Sequence, residues 1–160
     1  MSCTVWSPEA SETIRVGSPA VVRGAVIFAT SDSSLILALD AASGKPLWRQ
    51  QTRAYVFSSP AVAGDTVGVG VLNGSLEARD LATGDLRWDY RSVASLANEG
   101  WVLGADRHFN AGWVFASPWR EKATTAIERQ FAIGAFFSSP LVVDGVVYVG
   151  SSDGRMLALE

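Results

Sequence analysis

Short apolar runs of three to five residues alternate with turns built from Gly, Asp, Asn and Ser along most of the chain. Ala20-Val21-Val22 gives way to Arg23-Gly24, then to Val26-Ile27-Phe28-Ala29, a polar stretch around Asp32, and Leu35-Ile36-Leu37-Ala38-Leu39. Runs of this length, rich in β-branched and aromatic residues and bounded by turn formers, predict strands, and no helical periodicity competes with them.

The pattern repeats. Ser18-Pro19-Ala20-Val21-Val22, Ser59-Pro60-Ala61-Val62-Ala63 and Ser139-Pro140-Leu141-Val142-Val143 align, and the steps from Pro19 to Pro60 and from Pro60 to Pro140 are one repeat interval and then two. Thirteen residues after each proline stands a turn residue, Asp32, Asn73 or Asp153, and sixteen after stands an apolar one, Leu35, Leu76 or Met156. Two copies run on through Ala41-Ala42-Ser43-Gly44-Lys45-Pro46-Leu47-Trp48 and Leu81-Ala82-Thr83-Gly84-Asp85-Leu86-Arg87-Trp88. Four strands per unit of about 40 residues is the blade of a β-propeller.

The expected fold is therefore an all-β propeller of about four four-stranded blades in one domain, 1–160. The blades are placed at about 14–50, 54–91, 92–133 and 134–160. Reading the longer proline step as two intervals makes 92–133 a degenerate blade, in which Trp101-Val102-Leu103-Gly104 holds the register and the rest departs from it. Tryptophans Trp6, Trp48 and Trp88 mark the ends of fourth strands and are assigned to packing between blades. The segment 3–7 then reads as a fourth strand that completes the blade at 134–160, closing an otherwise open edge.

The combination Ser-Ser-Pro, Asp-Gly, Tyr-Val-Gly-Ser-Ser-Asp-Gly, Ala-Leu-Asp and Ala-x-Gly-Lys-x-Leu-Trp resembles the repeat of the quinoprotein-like (pyrroloquinoline-quinone-type) propellers, well over 14–91 and 134–160 and poorly over 92–133. The resemblance implies a ring of seven or eight blades. It also admits non-enzymatic members of the outer-membrane barrel-assembly lipoprotein type, which act as scaffolds for protein partners. Four units leave open a four-bladed ring from one chain, an eight-bladed ring from two chains exchanging strands, or part of a longer propeller. The family's usual size favours the homodimer.

Candidate chemistry is sparse. A quinone-dependent dehydrogenase, or half of one, is the enzymatic alternative, and only that reading calls for pyrroloquinoline quinone and calcium. The single cysteine, Cys3, excludes the vicinal pair of the family's enzymes, and no carboxylate set matches their calcium site. Asp32, Asp40, Asp80 and Asp153 fall at turn offsets of the repeat, where Asp bonds its own backbone. Ser58-Ser59 and Ser138-Ser139 lack the context of a hydrolase nucleophile, and Gly44-Lys45 belongs to a turn rather than a phosphate loop. His108, the one histidine, has no nucleophile or second histidine at a motif spacing.

What remains is an aromatic and basic cluster in the unit that leaves the repeat: Trp101, Arg107, His108, Phe109, Trp113, Trp119 and Arg120. Trp and Arg are enriched at binding hot spots, so a protein-binding surface is the expected role, with no catalytic residue and no metal ligand assigned. Thirteen Lys and Arg against sixteen Asp and Glu give a net charge of −3, which speaks against non-specific nucleic-acid binding. No apolar run has the length of a membrane span. The polar start, 1–17, lacks the apolar core of a secretory signal and points to the cytoplasm, whereas the resemblance implies the cell envelope or periplasm.

Overall fold

The computed structural model describes residues 17–110, 128 and 131–160. Among the described residues, three antiparallel sheets follow one another. The first contains β1 (Ala20–Val22), β2 (Ala25–Ala29), β3 (Leu35–Asp40) and β4 (Pro46–Gln51) in the order β1-β2-β3-β4. The second repeats it with β5 (Ala61–Ala63), β6 (Thr66–Gly70), β7 (Ser75–Asp80) and β8 (Leu86–Arg91). A short helix, α1 (Val93–Ala97), follows, and further along the chain comes a sheet that has three strands among the described residues, β9 (Leu141–Val143), β10 (Val146–Gly150) and β11 (Met156–Leu159).

The turns make these meanders. Arg23-Gly24 and Asp144-Gly145 both have positive φ at each residue (48° and 78°, 51° and 84°), the two-residue hairpin geometry whose twist matches its strands. Asp40 Oδ1 accepts from the Ser43 amide at 2.7 Å, and Asp80 Oδ1 accepts from the amides of Ala82 and Thr83 at 2.8 and 3.0 Å. The repeated aspartates Asp40 and Asp80 thus serve turns. The loop between β6 and β7 is one residue shorter than its counterpart between β2 and β3: Ala29 pairs with Ile36, but Gly70 pairs with Leu76. Ile36, rather than Leu35, is therefore the structural equivalent of Leu76.

Each sheet is joined to the next by the same bonds. The Ser18 amide donates to Ser59 Oγ at 2.8 Å, and the Ser59 amide donates to Ser139 Oγ at 2.9 Å. The Val56 amide reaches Thr30 O at 3.1 Å and the Phe136 amide reaches Val71 O at 3.4 Å, at matching positions one step apart. The sheet at 134–160 is therefore the immediate neighbour of the second sheet. The segment 92–133, expected as a degenerate blade, shows in its described part α1, turns, helical residues at 128, 131 and 132, and two isolated bridges, Glu99 with Leu103 and Leu103 with Phe109. It is an insertion about one period long.

Between the first two sheets lie Ile27, Ile36, Val67 and Val69, all fully buried, with Val102 and Leu103 of the insertion joining the same core. Leu76, Phe136 and Val149 fill the second seam. One polar pair is buried as well. Arg79 donates from Nε to Glu77 Oε2 at 2.9 Å, from Nη1 to Gly84 O at 3.0 Å and from Nη2 to Gln51 O at 3.0 Å, tying β7 to the last strand of the first sheet.

Candidate protein-binding surface

The insertion begins where Ser92 ends β8. Its hydroxyl accepts from the Ser95 amide at 3.0 Å, capping α1, and donates to Ile133 O at 2.9 Å. Ser95 Oγ donates to Asn73 O at 2.8 Å, so the start of the insertion is pinned to the turn between β6 and β7 and its end, at Ile133, to Ser92. Gly74, at φ +78°, lies beneath them: a Cβ there would stand 2.6 Å from Ile133 O and 2.8 Å from Ser92 Oγ.

Beyond α1, a small hairpin is closed by the Gly104 amide on His108 O (2.9 Å) and the Asn110 amide on Val102 O (2.8 Å). Val102 and Leu103 are buried in the core, with Phe109 packed partly against them. Arg107, at φ 65°, turns inward to pair with Asp89 of β8, and its carbonyl accepts from Asn73 Nδ2 at 3.2 Å. Arg91 donates to Glu99 Oε2 at 2.6 Å, a bond that lowers the Glu99 pKa.

Of the residues expected to bind, Trp101 is 62% exposed. His108 is exposed, with Nδ1 3.3 Å from Asp106 Oδ2. Arg107 is held by an internal ion pair, and Phe109 belongs half to the core. Trp113, Trp119 and Arg120 lie outside the described residues. Val93 and Leu96 interrupt the strand pattern of the sequence and carry no repeat signal; on α1 they sit three residues apart, share a face and are exposed.

The three tryptophans assigned to packing differ. Trp48 is buried, opposite Ala38, its Nε1 donating to Leu81 O at 3.0 Å across the seam. A Cβ on Gly84 would come within 2.5 Å of its ring, so the ring lies against a bare backbone. Trp88, opposite Ala78, reaches the next seam beside Val142 and Val147 but remains 45% exposed. Trp6 lies outside the described residues.

With this geometry in place, the relatives are informative. The family model described as "Outer membrane protein assembly factor BamB" matches residues 3–115. The chain belongs to that family. A BamB of Xanthomonas campestris is 28% identical over 146 residues, covering 90% of this chain and 35% of the relative. The crystal structure of BamB from Moraxella catarrhalis superposes with a TM-score of 0.62 at 20% identity, over 94% of this chain and 35% of that one. A 1-butanol dehydrogenase (quinone) of Thauera butanivorans is 36% identical over 77 residues, 42% of this chain and 12% of the enzyme. The chain spans about a third of the length of the BamB relatives it matches.

Both the propeller architecture and the quinoprotein-like resemblance expected from the repeat hold. Among the described residues, no group of three or more His, Cys, Asp or Glu could hold a metal ion. No described helix is long and apolar enough to cross a membrane.

Proposed function

We propose that this chain is a non-enzymatic propeller scaffold that holds protein partners in the cell envelope, and that it works as a homodimer. One observation carries the binding role. The insertion is pinned to the second sheet by buried hydroxyls and an ion pair, yet it presents Trp101, Val93 and Leu96 to solvent. Pre-organised backbone around an exposed tryptophan lowers the ordering cost of association, and large apolar groups left at a surface mark interaction sites. Membership in a family of outer-membrane assembly factors supports the same reading.

A photo-crosslinking amino acid at position 101 tests it in cell envelopes. The expected result is a discrete adduct with another protein that is absent when the probe sits at the exposed position 47. Identical patterns at the two positions, or no adduct at 101, would overturn the proposal. The quinone-dependent dehydrogenase, supported by the butanol dehydrogenase match, makes the opposite demand. Pyrroloquinoline quinone with calcium should then support dye reduction by an alcohol, and the scaffold reading expects none.

A further inference from the structure

We infer that Asn73 is a site of deamidation that the insertion holds closed, and that its conversion to aspartate releases the insertion from the second sheet. Asn73-Gly74 lies in the turn between β6 and β7, with Gly74 at φ 78°. In an unfolded chain an Asn followed by Gly is labile, because no side chain shields the glycine nitrogen from the asparagine side chain. That nitrogen attacks Asn73 Cγ. The new C–N bond closes a five-membered succinimide, the Cγ–Nδ2 bond breaks, and Nδ2 leaves as ammonia with the proton given up by the glycine amide. Water then opens the ring at either carbonyl, leaving aspartate or isoaspartate. One water is consumed, one ammonia is released, and nothing is oxidised or reduced.

The fold restrains every group in this reaction. Asn73 is fully buried, which keeps water from its side chain. The Gly74 amide, the attacking group, is committed to Val71 O at 3.1 Å. The side chain it must reach is held at both atoms: Oδ1 accepts from the Ser75 amide at 3.1 Å, and Nδ2 donates to Arg107 O at 3.2 Å. Ser95 Oγ donates to Asn73 O at 2.8 Å, and the Ser92 amide donates to Gly74 O at 2.8 Å. The bonds with Val71 and Ser75 belong to the turn itself. Those with Ser95 and Arg107 come from the insertion, so the insertion sets how often the turn opens.

The third sheet displays the product's turn. Between β10 and β11, Asp153-Gly154 occupies the same repeat position. Gly154 has φ 83°, and its amide bonds Ser151 O at 3.1 Å. The Ser151 amide bonds Arg155 O at 2.9 Å, as the Val71 amide bonds Ser75 O at 2.8 Å. An aspartate therefore fits this turn. Asp153, however, is half-buried and has two side-chain partners, the Ser151 hydroxyl and Arg155, whose Nε lies 3.5 Å away. Around residue 73 those positions are filled by Val71 and Ser75. A carboxylate at 73 would be buried without a matching hydroxyl and guanidinium, and it would face Arg107 O with no proton to give. Arg91, which bonds Ser95 O at 3.2 Å, is already paired with Glu99. None of this depends on what binds at Trp101.

Peptide mass spectrometry of the full chain, incubated at mildly alkaline pH, tests the first half. Asn73 should convert more slowly in the native protein than in urea, and equal rates would overturn the protection. Ser95→Ala removes the bond to Asn73 O, and Arg107→Ala removes the ion pair with Asp89 that seats the hairpin. Each should speed native conversion about two- to tenfold, the worth of one net hydrogen bond, and leave the rate in urea unchanged. Native rates equal to wild type in both variants would remove the insertion as the guard. For the second half, Asn73→Asp carries the product directly. Hydrogen exchange across 92–103 should accelerate while β1 to β4 keep their protection, and wild-type protein aged to conversion should show the same pattern. Exchange across 92–103 at the unaged wild-type rate, in either sample, would overturn the release.

Discussion

At the residue scale, Gly84 and Glu77 set the character of the seam between the first two sheets. Gly84 leaves room for the Trp48 ring, and its φ of +75° disfavours any side chain. Gly84→Ala should cost about 1–3 kcal/mol by urea unfolding, as overpacking in a filled seam does. Glu77 behaves differently, because burial raises its pKa by more than the adjacent Arg79 lowers it. A carboxyl that binds its proton more tightly folded than unfolded weakens the fold as pH rises from the unfolded value of 4.5 through the raised one. Asp40, Asp80 and Glu99 are lowered by hydrogen bonds and act in the opposite sense, equally in wild type and variant. Relative to wild type, Glu77→Gln should therefore gain stability as pH rises from 4.5 toward neutrality. Urea midpoints at the two ends of that range check this, and a change in the opposite direction would refute the sign. Neither residue's role was legible in the chain, because a Gly-Asp turn and a Glu-Ala-Arg stretch of strand do not name the neighbouring sheet that they meet.

At the scale of elements, the sheets were legible and the insertion was not. Strand alternation, Asp-Gly turns and recurring tryptophans are local chemistry, and they placed most of β1 to β11 with small shifts at the ends. The segment 92–133 misled because its length is close to one period. The interval from Ser59 to Ser139 is the same whether a blade or an insertion fills it, and the bond between those two serines distinguishes the cases. Gly74→Ala should loosen the insertion specifically. Its Cβ would strike Ile133 O and the Ser92 and Ser95 side chains at once. Hydrogen exchange across 92–103 should accelerate while β1 to β4 keep their protection, and uniform acceleration would mean that the insertion is not a separate unit.

For the whole molecule, direct stacking of the second and third sheets means that the insertion is not needed to join them. A short step of chain leads from Trp48 to Pro60, whereas the stretch from Trp88 to Pro140 is longer by a whole repeat interval. Replacing most of the insertion with a linker that restores the shorter step should preserve the far-ultraviolet strand signal. The urea midpoint should fall, because Val102, Leu103 and Ile133 leave the core. Loss of all strand signal would show that the insertion is integral to the stack. By itself the sequence determined the strands, their turns, the propeller class and the family, because each is written in patterns that fit within a single repeat unit. Only the tertiary structure decided which sheet touches which, that Trp48 is sealed while Trp88 is not, and that Arg107 turns inward while Trp101 faces solvent. Those outcomes depend on neighbours as remote in the chain as Asp89 is from Arg107, or Ser59 from Ser139. No local pattern encodes which of several similar neighbours a residue will meet.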